Sequence, residues 1–207
     1  GELQDWLLRR SEQEPYTEQV AAKVAYDVLQ ALRKCHELGI VHRDVKPPNL
    51  IYSAPPSDES SLLKLVDFGL AARHSPGDEP LIEACGTLDF MAPEMLADEP
   101  AYGATADVWS AGVLVYMLLS GSHPFRGPSQ CATEERIKAG RLPSDRPGEG
   151  LHGVSAEARA FVKALLVRPG ARLSAKEALG HPWLRLQRNN ADAPLLDAGV
   201  PAKVKEL

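Results

Sequence analysis

The chain has 207 residues, 44% hydrophobic and 25% charged, which is long and apolar enough for one sizeable core and excludes a fibrous or wholly disordered protein. A formal net charge of -5, with no clustering of lysine and arginine, argues against nucleic-acid binding. Cys35, Cys85 and Cys131 are odd in number, far apart and without C-x-x-C spacing, which points to a reducing intracellular setting rather than a disulfide scaffold or a zinc site.

In chain order, residues 2–10 read as a short amphipathic helix after a start at Gly1 rather than methionine, as in a piece of something longer. No signal peptide precedes that helix. From Glu18 to Glu37, apolar Val20, Val24, Val28, Leu32 and Cys35 fall on one helical face, with Thr17 as N-cap and Gly39 as stop. The runs "NLIY" and "LLKLV" read as two short strands separated by the exposed loop "SAPPSDESS". The pattern is irregular from residue 67 to about 104. A helix follows over 107–120, apolar nearly all round and hence central to the core. Its run "AGVLVYMLLSG" falls well short of the ~20 residues that cross a bilayer. Shorter helices are predicted over 129–139, 155–167 and 175–186, the last opened by the capping box Ser174/Glu177. Trp109 and Trp183 read as core residues, and His36, His123 and His181 as packing or turn residues. The expected fold is mainly α (α+β), with a few short strands at one edge and a polar tail over 188–207.

The decapeptide "VHRDVKPPNL" at 41–50 crowds His42, Arg43, Asp44, Lys46 and Asn49 between apolar ends, in a loop where prolines forbid a helix. Taken alone, H-R-D suits three turn residues making local hydrogen bonds. The order D-x-K-x-x-N, followed downstream by Asp67, Phe68 and Gly69 straight after an apolar strand, favours chemistry instead. Phosphoryl transfer spreads negative charge over equatorial oxygens, so catalysis is mostly positioning and electrostatic stabilisation. Asp44 is suited to accept or orient a hydroxyl proton, and Lys46 to neutralise phosphate charge. Asn49 and Asp67 offer the hard oxygen ligands that Mg²⁺ prefers.

These motifs, with "GTLDFMAPE" at 86–94, "DVWSAGV" at 107–113 and "RPGARLSAKEALGHPW" at 168–183, resemble the C-terminal lobe of a eukaryotic protein kinase over residues 1–187. The resemblance implies ATP and Mg²⁺ as cofactors, Asp44 as the catalytic aspartate, Asn49 and Asp67 as metal ligands, and Glu94 as the end of the activation segment. It further implies a buried Glu94–Arg172 ion pair and an Asp107 that supports the loop backbone, with His42 as further support. Lys46 and Thr87 follow the serine/threonine pattern. "CHELGIVHRDVKP", "LLSGSHPF" and "EALGHPWL" are similar to the calcium/calmodulin-dependent and calcium-dependent kinases, and the tail resembles the junction before a calcium-sensor module. No calcium loop is present, so calmodulin or a calcium sensor enters only by analogy.

Two positions depart from the relatives or specialise the pattern. Pro48 stands where these kinases usually carry glutamate, which puts one basic-substrate preference in doubt, while Glu2 resembles the acid that selects an upstream basic residue in protein substrates. Glu83 lies where related kinases often carry a phosphothreonine, and would give Arg43 a permanent partner; the alternative is an exposed carboxylate with no partner. Cys85 lies beside the substrate-facing loop. The glycine-rich G-x-G-x-x-G-x-V loop and the V-A-I-K lysine that grip a nucleotide do not occur in these 207 residues, so the chain by itself is expected to be inactive. Two readings stay open: the C-lobe portion of a cytoplasmic serine/threonine kinase, the nucleus not excluded, or a non-catalytic kinase-like lobe that docks substrates or regulates another kinase.

Overall fold

The computed structural model describes residue 3 and residues 17–54, 61–147 and 149–189. Most of the helix expected over 2–10, Glu2 itself, much of the loop after Tyr52 and the tail from 190 onward lie outside the described residues; Leu3 is fully buried. The described residues are mainly helical with four short strands. No helix among them is long and apolar enough to cross a membrane.

Helix α1 (Glu18–Glu37) buries Val20, Val24, Val28 and Leu32, so the apolar stripe in the sequence is the face that meets the core. Thr17 occupies the N-cap position but makes no side-chain capping bond; its carbonyl accepts from Val20 N at 3.1 Å and from Ala21 N at 3.5 Å. Gly39 ends the helix at φ +67°, donating to His36 O.

Strand β1 (Ile40–Val41) leads directly into the polar loop, and β2 (Leu50–Tyr52) leaves it. β2 pairs antiparallel with β3 (Leu63–Leu65) in the register Leu50↔Leu65, Ile51↔Lys64, Tyr52↔Leu63. β4 (Ala72–Arg73) closes on β1 with Ile40 opposite Arg73. This second ladder is two residues long per strand, too short to leave any alternation in the sequence. Both ends of loop 42–49 are thereby fixed in strand pairs.

Helix α2 (Thr105–Ser120) is buried at every residue after the first, which explains its lack of a polar face. It packs against α1 and α4 (Ala156–Leu165), while α1 also meets α5 (Ala175–Ala178) and α6 (Pro182–Asn189). α3 (Gln130–Ala139) packs on the turns at 88–90 and 93–95. Trp109 and Trp183 are fully buried, and Trp109 stacks on Phe125 at 5.3 Å between centroids. The capping box of Ser174 and Glu177 is formed, but the helix predicted over 175–186 is two helices. Pro182 causes the break: it lacks the N–H that would continue α5, and its ring disfavours helical backbone before it.

Glu18 has a role hidden in the sequence, where it reads as an ordinary first-turn acid. It is fully buried, and its carboxylate accepts from Ser155 N and Oγ, both at 2.7 Å, and from Trp183 Nε1 at 3.0 Å. One side chain therefore ties α1 to the N-terminus of α4 and to α6. Glu18→Ala leaves these donors without a partner, and we expect it to lower unfolding free energy by about 3 kcal/mol in a denaturant titration. A change below about 1 kcal/mol would mean that water replaces the carboxylate at little cost.

Candidate active site

The loop between β1 and β2 owes its shape to a carboxylate beneath it. Asp107, in the first turn of α2 and 1% exposed, accepts from Arg43 N through Oδ1 at 2.8 Å and from His42 N through Oδ2 at 2.8 Å. His36 Nε2 reaches Oδ2 at 2.9 Å, so this histidine does more than pack. These bonds hold Arg43 at φ +69°, a left-handed conformation costly for a non-glycine residue. His42 is fully buried, its Nδ1 accepting from Asp44 N at 3.3 Å and its Nε2 donating to Val66 O at 3.0 Å. The pair of bonds places the ring proton on Nε2. Phe68 packs edge-on against the same ring at 4.8 Å. A loop so rich in polar groups is thus matched by buried partners.

Asp44 is the centre of the cluster. Its Oδ1 accepts from Thr87 N at 3.0 Å and Thr87 Oγ1 at 2.8 Å, and its Oδ2 meets Lys46 Nζ at 2.8 Å and Asn49 Nδ2 at 3.1 Å. Asn49 Nδ2 also donates to Asp44 O at 2.8 Å, and Lys46 Nζ donates to Thr87 Oγ1 at 2.9 Å. Burial pushes the Asp44 carboxyl up, but hydrogen bonds from Lys46, Thr87 and Asn49 and the Lys46 charge together outweigh it and hold the pKa below the usual carboxylate value. Asp44 is therefore an anion at neutral pH, poised as an acceptor. Gly86, at φ +106°, brings Thr87 close, because any Cβ there would run into the Arg43 carbonyl.

Asp67 lies across the ladder from this cluster. Val66 N donates to Asn49 O at 2.9 Å, which sets Asn49 beside the residue preceding Asp67. Asp67 is exposed and also left-handed, at φ +62°, with Oδ1 accepting from Gly69 N at 3.2 Å. Among the described residues there is no group of three His, Cys, Asp or Glu side chains that could hold a metal. One amide and one carboxylate, both hard oxygen donors, fit Mg²⁺, which is held by few protein ligands and completes its shell with phosphate and water. They do not fit a metal that needs a full protein cage.

The remaining predicted residues fall into two groups. Glu94 and Arg172 form a bidentate pair, Nη1 to Oε1 at 2.5 Å and Nη2 to Oε2 at 3.0 Å, with Arg172 also donating to Val167 O and Thr105 O at 2.9 Å. Its guanidinium lies 5.0 Å from the Trp109 ring centroid. Glu83 meets Arg43 Nη1 at 3.2 Å with a side chain 74% exposed. Tyr102, which the sequence does not single out, donates its hydroxyl to Glu83 O at 2.5 Å and receives Arg43 Nη1 at 3.3 Å. Its only sequence signal is an aromatic residue shortly before "DVWSAGV". Pro48 is exposed, in the tight turn Pro47–Asn49.

The sequence matches the family described as the protein kinase domain over residues 1–184. It is 39% identical over 207 residues to calcium-dependent protein kinase 2 of Arabidopsis thaliana, a match covering 100% of this chain and 30% of that protein. Calcium-dependent protein kinase 25 of the same organism is also 39% identical over 207 residues, 100% of this chain and 38% of its own length. Serine/threonine-protein kinase H1 of Homo sapiens is 40% identical over 186 residues, 89% of this chain and 42% of that protein. The chain thus spans well under half the length of these curated relatives. With a family match over residues 1–184 and an anionic Asp44 set among Lys46, Asn49 and Thr87, the chain belongs to the protein kinase family.

Proposed function

We propose that the chain is the helical C-terminal lobe, residues 1–187, of a serine/threonine protein kinase that transfers the γ-phosphate of ATP to hydroxyls of protein substrates. The observation that carries this reading is the Asp44 cluster: a depressed carboxylate bonded to Lys46 and Asn49 of its own loop and to Thr87 from a distant segment. Asp44 orients the acceptor hydroxyl and takes its proton. Lys46, already bonded to Asp44 and Thr87, keeps a compact cation beside that proton acceptor, where charge on the transferred group is neutralised. Thr87 links the activation segment to the same carboxylate, so the segment and the loop are ordered together. Asn49 and Asp67 would hold Mg²⁺, which when bound neutralises nucleotide phosphate charge. His42 and Asp107 hold the loop, Arg172 holds Glu94, and Phe68 and Gly69 complete the turn beneath Asp67.

Similarity to calcium-dependent kinases over the whole chain supports a calcium-sensor module, or calmodulin, as regulator of the longer protein. Glu2, outside the described residues, is assigned to recognition of a basic residue upstream of the target. A cytoplasmic setting suits the three free thiols. The test is transfer of labelled phosphate by the full-length protein to serine, threonine and tyrosine peptides, with and without an upstream arginine. Transfer to serine and threonine, abolished by a chelator of Mg²⁺, is the expected result. Absence of transfer to any peptide under activating calcium would favour the non-catalytic docking reading.

Glu83 supplies Arg43 with a standing negative charge in place of phosphorylation. Because the pair is exposed, it is worth ~0–1 kcal/mol, and Glu83→Ala should lower kcat of the full-length enzyme roughly two- to fivefold. An unchanged kcat would show that the pair has no part in activity.

A further inference from the structure

Residues 74–87 hold no helix or strand, and between the bonds at their two ends, His74 N to Gly39 O and Thr87 to Asp44, Tyr102 holds the middle of the segment. Leu81 and Tyr102 form an isolated antiparallel bridge, with Leu81 N to Tyr102 O at 2.9 Å and Tyr102 N to Leu81 O at 3.0 Å. Beside that bridge the Tyr102 hydroxyl donates to Glu83 O at 2.5 Å and accepts from Arg43 Nη1 at 3.3 Å. Arg43 also donates from Nε to Leu70 O at 2.5 Å, and immediately precedes Asp44 on left-handed backbone. One phenol, on a residue 4% exposed, therefore joins the loop carrying Asp44 to the segment that delivers Thr87, and Arg43 extends the link to the turn after Asp67.

Two interactions compete for control of this junction. The Glu83 carboxylate is 74% exposed, so water and salt screen its attraction to Arg43. The Tyr102 hydroxyl sits on a buried side chain and its two bonds are part-buried, so they are screened less than the surface pair and are costlier to lose. Burial raises the phenol pKa by more than the neighbouring Arg43 lowers it, so the group stays a protonated donor through neutral pH.

We propose that Tyr102 is a positioning residue for phosphoryl transfer, whose hydroxyl acts through Arg43 and the Glu83 backbone to hold Asp44 and Thr87 in register. The inference rests on the kinase reading above. Its test uses the full-length protein and Tyr102→Phe, which removes one oxygen and keeps the ring and the backbone bridge. The expected result is a loss of about tenfold in kcat, a larger loss than Glu83→Ala causes, with KM for ATP within about twofold of wild type. In an Arg43→Ala background the same change should lower kcat by less than about twofold, because the two groups act as a unit. A wild-type kcat in Tyr102→Phe, with Asp44→Asn inactive, overturns the inference and leaves the kinase reading standing. A tenfold loss that persists undiminished without Arg43 also overturns it. If the wild-type protein transfers no phosphate, the kinase reading fails and this inference fails with it.

Discussion

Asp44→Asn in the full-length kinase is expected to lower kcat by about a thousandfold while leaving KM for ATP within a few-fold. The substitution is nearly isosteric, so Thr87 N can still donate to the side-chain oxygen that replaces Oδ1. What disappears is the charge. Lys46, 2.8 Å away and a quarter exposed, loses its counter-ion, and the hydroxyl that Asp44 is proposed to orient loses its proton acceptor. An asparagine does not take a proton at neutral pH, so the loss falls on the chemical step and not on nucleotide binding. Steady-state kinetics with separate variation of ATP and peptide distinguish the two. A kcat within tenfold of wild type would mean that another group handles the proton.

Glu94→Ala is expected to destabilise the fold by about 3 kcal/mol, measured by denaturant titration with tryptophan fluorescence as the signal. The Arg172 side chain is wholly out of water, whereas Glu94 is 10% exposed, so removing the carboxylate strands a buried cation. Breaking a buried pair from one side costs about 3–5 kcal/mol in general. The low end applies because Arg172 retains its bonds to Val167 O and Thr105 O and its position over Trp109. Replacing both members, as Glu94→Leu with Arg172→Met, should recover most of the stability, since matched apolar residues carry no desolvation penalty. If the double variant is as unstable as Glu94→Ala, the pair acts through shape rather than charge.

Much of this fold was legible in the sequence because its signals are long or chemically specific. The stripe of Val20, Val24, Val28 and Leu32 and the all-round apolar run of α2 each fix one helix, since both patterns repeat over several turns. The loop residues were legible through their order, D-x-K-x-x-N and then D-F-G, which no secondary structure demands. The rest depended on pairings between segments far apart in the chain. Glu18 meets Ser155 and Trp183, His36 meets Asp107, and Tyr102 meets Glu83 and Arg43, and none of these pairings leaves a periodicity. The same holds for the two-residue ladder of β1 and β4. Local rules also failed in two places. Thr17 sits at the cap position without capping, while Pro182 divides a helix that apolar spacing alone would join.

Asp44 and Asp67 are proposed to serve one phosphoryl transfer, Asp44 at the acceptor hydroxyl and Asp67 at the metal. This division of labour is tested most directly by following γ-labelled phosphate from ATP to a serine peptide with full-length wild-type, Asp44→Asn and Asp67→Ala proteins side by side, with and without Mg²⁺. Transfer by the wild type only with Mg²⁺ is expected, with reductions of about a hundredfold or more in both variants. Transfer by either variant at the wild-type rate would contradict it.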